Sequence, residues 1–248
     1  MALGLPAGIR GCLFDMDGVL TRTATVHAAA WKQMFDEFLA DRSEATGERF
    51  RPFDAVADYD QYVDGRSRAD GTRGFLESRG IHLPEGSDDD PAGAATVQGL
   101  SRRKNELVLE KLRTEKVEVF DDTVAYVRAV IDHGLQLAVV SASANTAQVL
   151  ESAGLAELLP VRIDGVVAAE QHLAGKPAPD MYLAGARALG LEAAEAAVFE
   201  DALAGVEAGR AGHFGFVVGV DRVGQADDLR RHGADVVTSD LTQLLAPG

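Results

Sequence analysis

Cysteine is almost missing. Cys12 is the only one in 248 residues, so the chain cannot close a disulfide within itself and nothing in it calls for an oxidising compartment. A reducing cytoplasm is the expected location. Basic residues are scarce as well: 24 Lys and Arg stand against 39 Asp and Glu, a formal charge of −15. A field of that sign repels nucleic acid and anionic lipid instead of releasing their counterions, so neither is an expected partner. Long apolar runs are also lacking. Between Met1 and Leu20 there is no basic leader, and Arg10, Asp15 and Asp17 interrupt the apolar residues, so no export signal is expected. The least charged stretch elsewhere, Gly134 to Leu150, contains Gln136, Ser141, Ser143, Asn145, Thr146 and Gln148 and is too polar to span a bilayer. With only 8 Pro, 46% hydrophobic and 25% charged residues, collagenous, disordered and disulfide-scaffold classes fall away and a globular chain remains. A monomer is favoured.

Short apolar runs rich in β-branched residues read as buried parallel strands over Ile9 to Phe14, Leu135 to Val140, Val161 to Val167, Ala196 to Phe199, Phe214 to Val220 and Ala234 to Val237. Helical patterns separate them. From Asp121 to Gly134, Asp121 or Asp122 is the expected N-cap, Val124, Val127, Val130 and Ile131 form the apolar stripe, and Gly134 is the stop. The same logic gives helices over Asn145 to Ala153, Pro179 to Leu189 and Ala202 to Ala211, closed by Gly154, Gly190 and Gly212. Strands alternating with helices predict an α/β, doubly wound sheet whose ligand site lies beyond the carboxyl ends of the strands. After the first strand the alternation stops. Helical patterns over Ala24 to Leu39, Phe53 to Val63, Arg68 to Arg79 and Ala95 to Arg113, with an acidic loop from Gly86 to Gly93, read as an all-helical insertion. The expected division is a core of residues 1–23 and 117–248 and a cap of residues 24–116. The cap holds 14 basic and 18 acidic residues and the core 10 and 21. Basic groups thus concentrate where a lid over an anionic substrate would want them, although a solvated helical surface explains them nearly as well.

The first strand runs into Asp15-Met16-Asp17-Gly18. Two carboxylates just past a buried strand can place a cation and a reacting group at the mouth of the sheet; alone, the motif reads equally as an Asx-turn. Three further features follow predicted strands: Ser141-Ala142-Ser143-Ala144-Asn145, the loop Gly175-Lys176-Pro177-Ala178-Pro179-Asp180, and Glu200-Asp201. In a parallel sheet they converge on one edge. A hydroxyl, an ammonium and four carboxylates in one crevice make sense around a divalent cation and a phosphoryl group. Only 5 basic residues are Lys, and none but Lys176 lies beyond Lys116. A P-loop is excluded, because Glu170 stands where its first glycine belongs and Pro177 where its Ser or Thr belongs. Asp88-Asp89-Asp90 and Gly205-x-x-x-Gly209 read as surface and packing features, and Trp31, Phe35 and Phe38 as core of the insertion.

With these four motifs in this order the chain resembles the haloacid dehalogenase superfamily of phosphotransferases, and within it the β-phosphoglucomutase-like branch, over nearly its whole length. The resemblance implies a Rossmann-like core with a helical cap inserted after the first motif. It implies Asp15 as nucleophile, Asp17 as general acid and base, Ser141 and Lys176 as holders of the transferring phosphoryl group, and Mg²⁺ held by Asp15, Glu200, Asp201 and the backbone carbonyl of Asp17. It also implies a small phosphorylated sugar as substrate. The chemistry agrees, since a carboxylate approaching a phosphate dianion needs neutralising cations beside it. Branch residues matched by position are Thr23 and His27 near the start of the cap, Arg68 for a substrate's non-reacting phosphate, Lys104 and Asn105 facing the site, and Ala142, Ser143 and Asn145 beside the phosphate. Each has an ordinary reading too: a turn, a helix residue, one arginine among 19, part of a basic run. Two lysines typical of the branch are replaced by Ala144 and Asp64. The expected activity is isomerisation of a hexose phosphate through an aspartyl-phosphate, with hydrolysis of a sugar phosphate as the alternative. A non-catalytic acylphosphate signalling module is a third reading, disfavoured because receivers carry the phosphorylated Asp after a middle strand and lack a helical insertion.

Overall fold

The structure is a computed structural model that describes residues 3–114 and 117–245. Met1, Lys116 and Gly248, where the expected core and cap begin or end, lie outside the described residues. The chain divides into two compact units, Met1–Arg22 with Val117–Gly248, and Thr23–Lys116.

The first unit holds one six-stranded parallel sheet in the order β3-β2-β1-β4-β5-β6. Its strands are β1 (Gly11–Phe14), β2 (Gln136–Val140), β3 (Val161–Ile163), β4 (Ala196–Glu200), β5 (Phe216–Val220) and β6 (Val236–Thr238). β1 and β4 are buried along their whole length, as central strands covered on both faces must be. The chain steps from β1 to β2 on one side and reaches β4 on the other, so the order reverses between β1 and β4. That is the switch point at which ligands bind in such sheets. Side-chain alternation sorts the two faces. Leu13, Ala138, Val140, Val198 and Val217 enter a buried cluster with Met181 and Tyr182, while Phe14 stacks on Phe199 at 4.5 Å with Tyr126 edge-on.

The second unit has its own core. Its helices are α1 (Ala24–Thr46), α2 (Arg68–Ser78) and α3 (Val97–Thr114). Trp31, Met34, Phe35, Phe53, Phe75 and Leu107 are buried together, and Trp31 and Phe35 stack at 5.3 Å. The first unit adds α4 (Asp121–Asp132), α5 (Thr146–Ser152), α6 (Gly165–Glu170), α7 (Asp180–Ala188), α8 (Leu203–Ala211) and α9 (Ala226–His232). Among the described residues no helix is long and apolar enough to cross a membrane.

Several expected elements are corrected. The third strand stops at Ile163, because Asp164 Oδ1 accepts from the N–H groups of Val166 and Val167 at 3.0 Å and starts α6 there. The expected helix over Phe53 to Val63 shrinks to a π-helical turn at Tyr59–Val63, preceded by a turn in which Asp54 Oδ1 accepts from the N–H groups of Val56 and Ala57 at 2.9 Å. α1 continues past Leu39 to Thr46, since no breaker appears before Gly47, which closes it at φ 74°. Neither Asp121 nor Asp122 caps α4; Phe120 holds that position and both acids lie in the first turn, where they suit the helix dipole. α8 ends at Ala211 with Gly212 as its C-cap, as expected, but Gly212 has a φ of −77° and the left-handed residue is His213 at φ 55°. A Cβ on Gly212 would press on the Phe214 ring.

Candidate active site

Register places the expected site residues side by side. Phe14 pairs with Val139 and with Phe199, so the next residues along β1 and its two neighbours are Asp15, Val140 and Glu200, with Ser141 one step further. The Asp15 N–H donates to Phe199 O at 2.9 Å, continuing the ladder one residue past β1. Asp15, Ser141, Lys176, Glu200 and Asp201 are all buried.

Lys176 binds this group together. Its Nζ donates to Asp15 Oδ1 at 2.5 Å, to Glu200 Oε2 at 2.7 Å and to Val140 O at 3.4 Å, and lies 4.8 Å from the centre of the Tyr182 ring. Burial alone would lower the ammonium's pKa, but Asp15 and Glu200 outweigh it and push it above the ordinary lysine value. Burial pushes the Asp15 carboxyl well above the usual carboxylate range, the Glu200 charge adds to that, and Lys176 opposes without reversing it. Two carboxylates beside one ammonium thus remain short of positive charge.

Oxygen atoms of Asp15, Glu200 and Asp201 lie within 4.8 Å of one another. Three hard, buried carboxylates with a deficit of positive charge fit a divalent oxygen-seeking cation such as Mg²⁺. Two glycines make room for them. A Cβ on Gly18, whose φ is 88°, would overlap the Asp201 carboxylate, and one on Gly205 would overlap that of Glu200. The carboxylate of Asp17 is not part of this cluster. Asp17 is half-buried in the tight turn after β1, where Gly18 N donates to Thr21 O and Thr21 N to Met16 O.

The loop after β2 turns on its own hydroxyls. Ser141 Oγ accepts from Ser143 N at 3.1 Å and Ser143 Oγ from Asn145 N at 3.2 Å. Gly165 N donates to Ser143 O, and a Cβ on Gly165 would strike Ala142 O and Ala144 N. The loop therefore stands on the first turn of α6 with Ser141, Ala142, Ser143 and Asn145 beside the carboxyl end of β2.

Thr23, His27, Arg68, Lys104 and Asn105 belong to the other unit. Lys104 is buried on α3, its Nζ 2.8 Å from His27 Nδ1 and 4.9 Å from the centre of the Trp31 ring. Thr23 precedes α1 and is buried. Arg68 opens α2 behind Ser67, whose hydroxyl accepts from Asp70 N; burial holds the Arg68 guanidinium below its ordinary pKa. Asn105 follows Lys104 on α3.

The model for haloacid dehalogenase-like hydrolases matches residues 9–213 of the chain. The chain belongs to that family. It is 56% identical over 246 residues, 98% of this chain and 94% of the relative, to a protein named beta-phosphoglucomutase in Mycobacterium bovis. Among solved structures, a hydrolase from Pseudomonas syringae matches with a TM-score of 0.76 at 21% identity, over 95% of this chain and 96% of its own. A beta-phosphoglucomutase from Clostridium difficile matches at 0.75 and 22%, over 95% and 93%. At those identities the likeness is one of fold. The chain is an enzyme of the haloacid dehalogenase family, of its phosphotransferase or phosphatase kind, and its parallel sheet flanked by helices is the Rossmann-like core expected of it.

Residues that sequence reasoning passed over also shape the site. Tyr182 Oη donates to Glu200 Oε2 at 2.6 Å; burial and the neighbouring carboxylates push its pKa well up, so it keeps its proton. Gln225 Nε2 donates to Asp201 O at 2.9 Å, and Arg222 Nε to Gly18 O at 3.3 Å while pairing with Asp122 at 3.1 Å. Both lie beyond β5, so the rule that ligands sit past strand ends pointed to their loop.

Proposed function

We propose that this enzyme transfers a phosphoryl group through an aspartyl-phosphate at Asp15 and isomerises a hexose phosphate. The observation that carries the reading is the Lys176 bridge, at 2.5 Å to Asp15 and 2.7 Å to Glu200, in a cluster of three carboxylates beside the Ser141 hydroxyl. The 56% identity to a protein named beta-phosphoglucomutase supports the substrate class.

In this reading a carboxylate oxygen of Asp15 attacks phosphorus, the phosphorus–oxygen bond to the sugar breaks, and Asp17 gives its proton to the departing sugar oxygen. Lys176 and the Ser141 hydroxyl hold the phosphoryl oxygens. Asp15, Glu200 and Asp201, with the carbonyl of Asp17, would hold Mg²⁺, which when bound neutralises charge on the phosphoryl group. The aspartyl-phosphate gives its phosphoryl group to the free hydroxyl of the incoming hexose phosphate, whose proton Asp17 takes; after the resulting bisphosphate reverses, Asp15 accepts the other phosphoryl group and the isomer leaves. The helical unit, residues 24–116, is the cap of this mechanism and supplies Arg68 for the phosphate that does not react.

The test is product analysis over a panel of hexose phosphates, with and without the matching bisphosphate as primer and with Mg²⁺ or excess EDTA. Isomer formation from β-glucose 1-phosphate or a close relative, abolished by EDTA and by Asp15→Asn, is the expected result. Inorganic phosphate as the sole product from every sugar would assign a phosphatase instead, and full activity in EDTA would overturn the metal site.

A further inference from the structure

Glu200 and Tyr182 meet because of alternation along β4. Glu200 points to the same sheet face as Val198, and Tyr182 of α7 is buried against that face. A carboxylate offers about four acceptor positions, two on each oxygen. Around Glu200 three are taken. Oε2 receives Lys176 Nζ at 2.7 Å and Tyr182 Oη at 2.6 Å, and Oε1 receives Ala202 N at 3.1 Å. Among the described residues, only Oε1 has a position left. Gly205 leaves the space that Oε2 and Cδ fill, since a Cβ there would overlap both.

We propose that Tyr182 is a positioning residue that confines Glu200 to coordination through a single oxygen and so makes the site select Mg²⁺ over Ca²⁺. The inference rests on the reading of Glu200 as a metal ligand. Mg²⁺ takes six oxygens in a tight octahedron and is served by single-oxygen carboxylates, whereas Ca²⁺ takes six to eight and gains from a carboxylate that grips with both oxygens. By filling Oε2, Tyr182 and Lys176 deny that second grip. Tyr182→Phe keeps the ring against Lys176 and removes only the hydroxyl, which opens a position on Oε2 and lets both oxygens meet one cation.

The experiment is thermal unfolding of the full chain, wild type and Tyr182→Phe, in EDTA and then over titrations of MgCl₂ and of CaCl₂, because a cation that binds the native state raises the melting temperature with its concentration. The expected result is a wild type stabilised at lower Mg²⁺ than Ca²⁺, and a variant in which the ratio of the Ca²⁺ to the Mg²⁺ midpoint falls about tenfold. An unchanged or increased ratio, in a variant whose melting in EDTA matches wild type, overturns the role of Tyr182 while leaving the metal site standing. A wild type that Mg²⁺ does not stabilise overturns the metal site itself. Wild type alone supplies a second measurement should the variant fail to fold. Its infrared difference spectrum on adding Mg²⁺ should carry the widely split carboxylate bands of single-oxygen coordination, and a narrowly split, two-oxygen band would overturn the inference.

Discussion

Gly18 and Asp201 compete for one small volume: a β-carbon on residue 18 would overlap Oδ2 and Cγ of the Asp201 carboxylate. The turn after β1 and the loop after β4 therefore close on each other only because residue 18 has no side chain, and its φ of 88° is one that glycine adopts without strain. Gly18→Ala should do two things. Left-handed backbone at an alanine costs roughly 1–2 kcal/mol, and the displaced Asp201 should raise the Mg²⁺ concentration needed for half-maximal activity by about tenfold or more. Urea unfolding in EDTA reads the first and a Mg²⁺ titration of aryl phosphate hydrolysis the second. An unchanged Mg²⁺ midpoint would remove Asp201 from the metal site.

Asp15 gives a prediction with the opposite sign for stability and activity. Its carboxyl is pushed up by burial and by Glu200, while in the unfolded chain it ionises near pH ~4. Between those two values the unfolded state binds fewer protons than the native state, so stability falls as pH rises. Asp15→Asn cannot ionise, and Lys176 still pairs with Glu200 at 2.7 Å, so no buried charge is orphaned. In EDTA the variant should match wild type near pH ~4 and exceed it increasingly towards neutrality, with turnover lost. Urea unfolding across that range decides; a variant less stable than wild type at neutral pH refutes the account.

The site was legible where its residues directly follow strands. Asp15 leaves β1, Ser141 leaves β2 and Glu200 ends β4, and a short apolar run before each motif is enough to bring them to one sheet edge. The helical insertion was legible for the same reason, as a long stretch without strand patterns. What escaped depends on rotation and contact. Tyr182 lies in a helix that periodicity finds, yet its bond to Glu200 depends on how α7 is turned against β4, which no local pattern encodes. Val166 and Val167 read as strand because short apolar, β-branched runs look alike in strand and helix; the cap supplied by Asp164 decided for helix. The last turns of α1, from Ala40 to Thr46, carry little apolar signal and so hid their continuation past Leu39.

Asp17 should show its role through the leaving group. Asp17→Asn removes a proton donor, so turnover on a sugar phosphate should fall by about 10²-fold or more, and far less on an aryl phosphate whose leaving oxygen scarcely needs protonation. Parallel steady-state kinetics on both substrates provide the comparison. Equal losses would reassign Asp17 to metal binding or folding.

Arg68 separates isomerisation from hydrolysis. A mutase must hold a bisphosphate long enough for it to reverse and take back the phosphoryl group, which requires a grip on the phosphate that is not reacting. An arginine forks two N–H groups onto a phosphate, and Arg68, on the first turn of α2 with a guanidinium partly withdrawn from water, suits that task. Arg68→Ala should therefore cost about 2 to 5 kcal/mol in isomerisation, the range for truncating one partner of a buried charge pair, while hydrolysis of an aryl phosphate, which has no second phosphate, stays within about threefold of wild type. Coupled assays of hexose 6-phosphate formation and of phosphate release, run on the same preparations, give both numbers. A variant that loses both activities together places Arg68 in the folding of α2, and one that loses neither leaves the second phosphate to be held elsewhere.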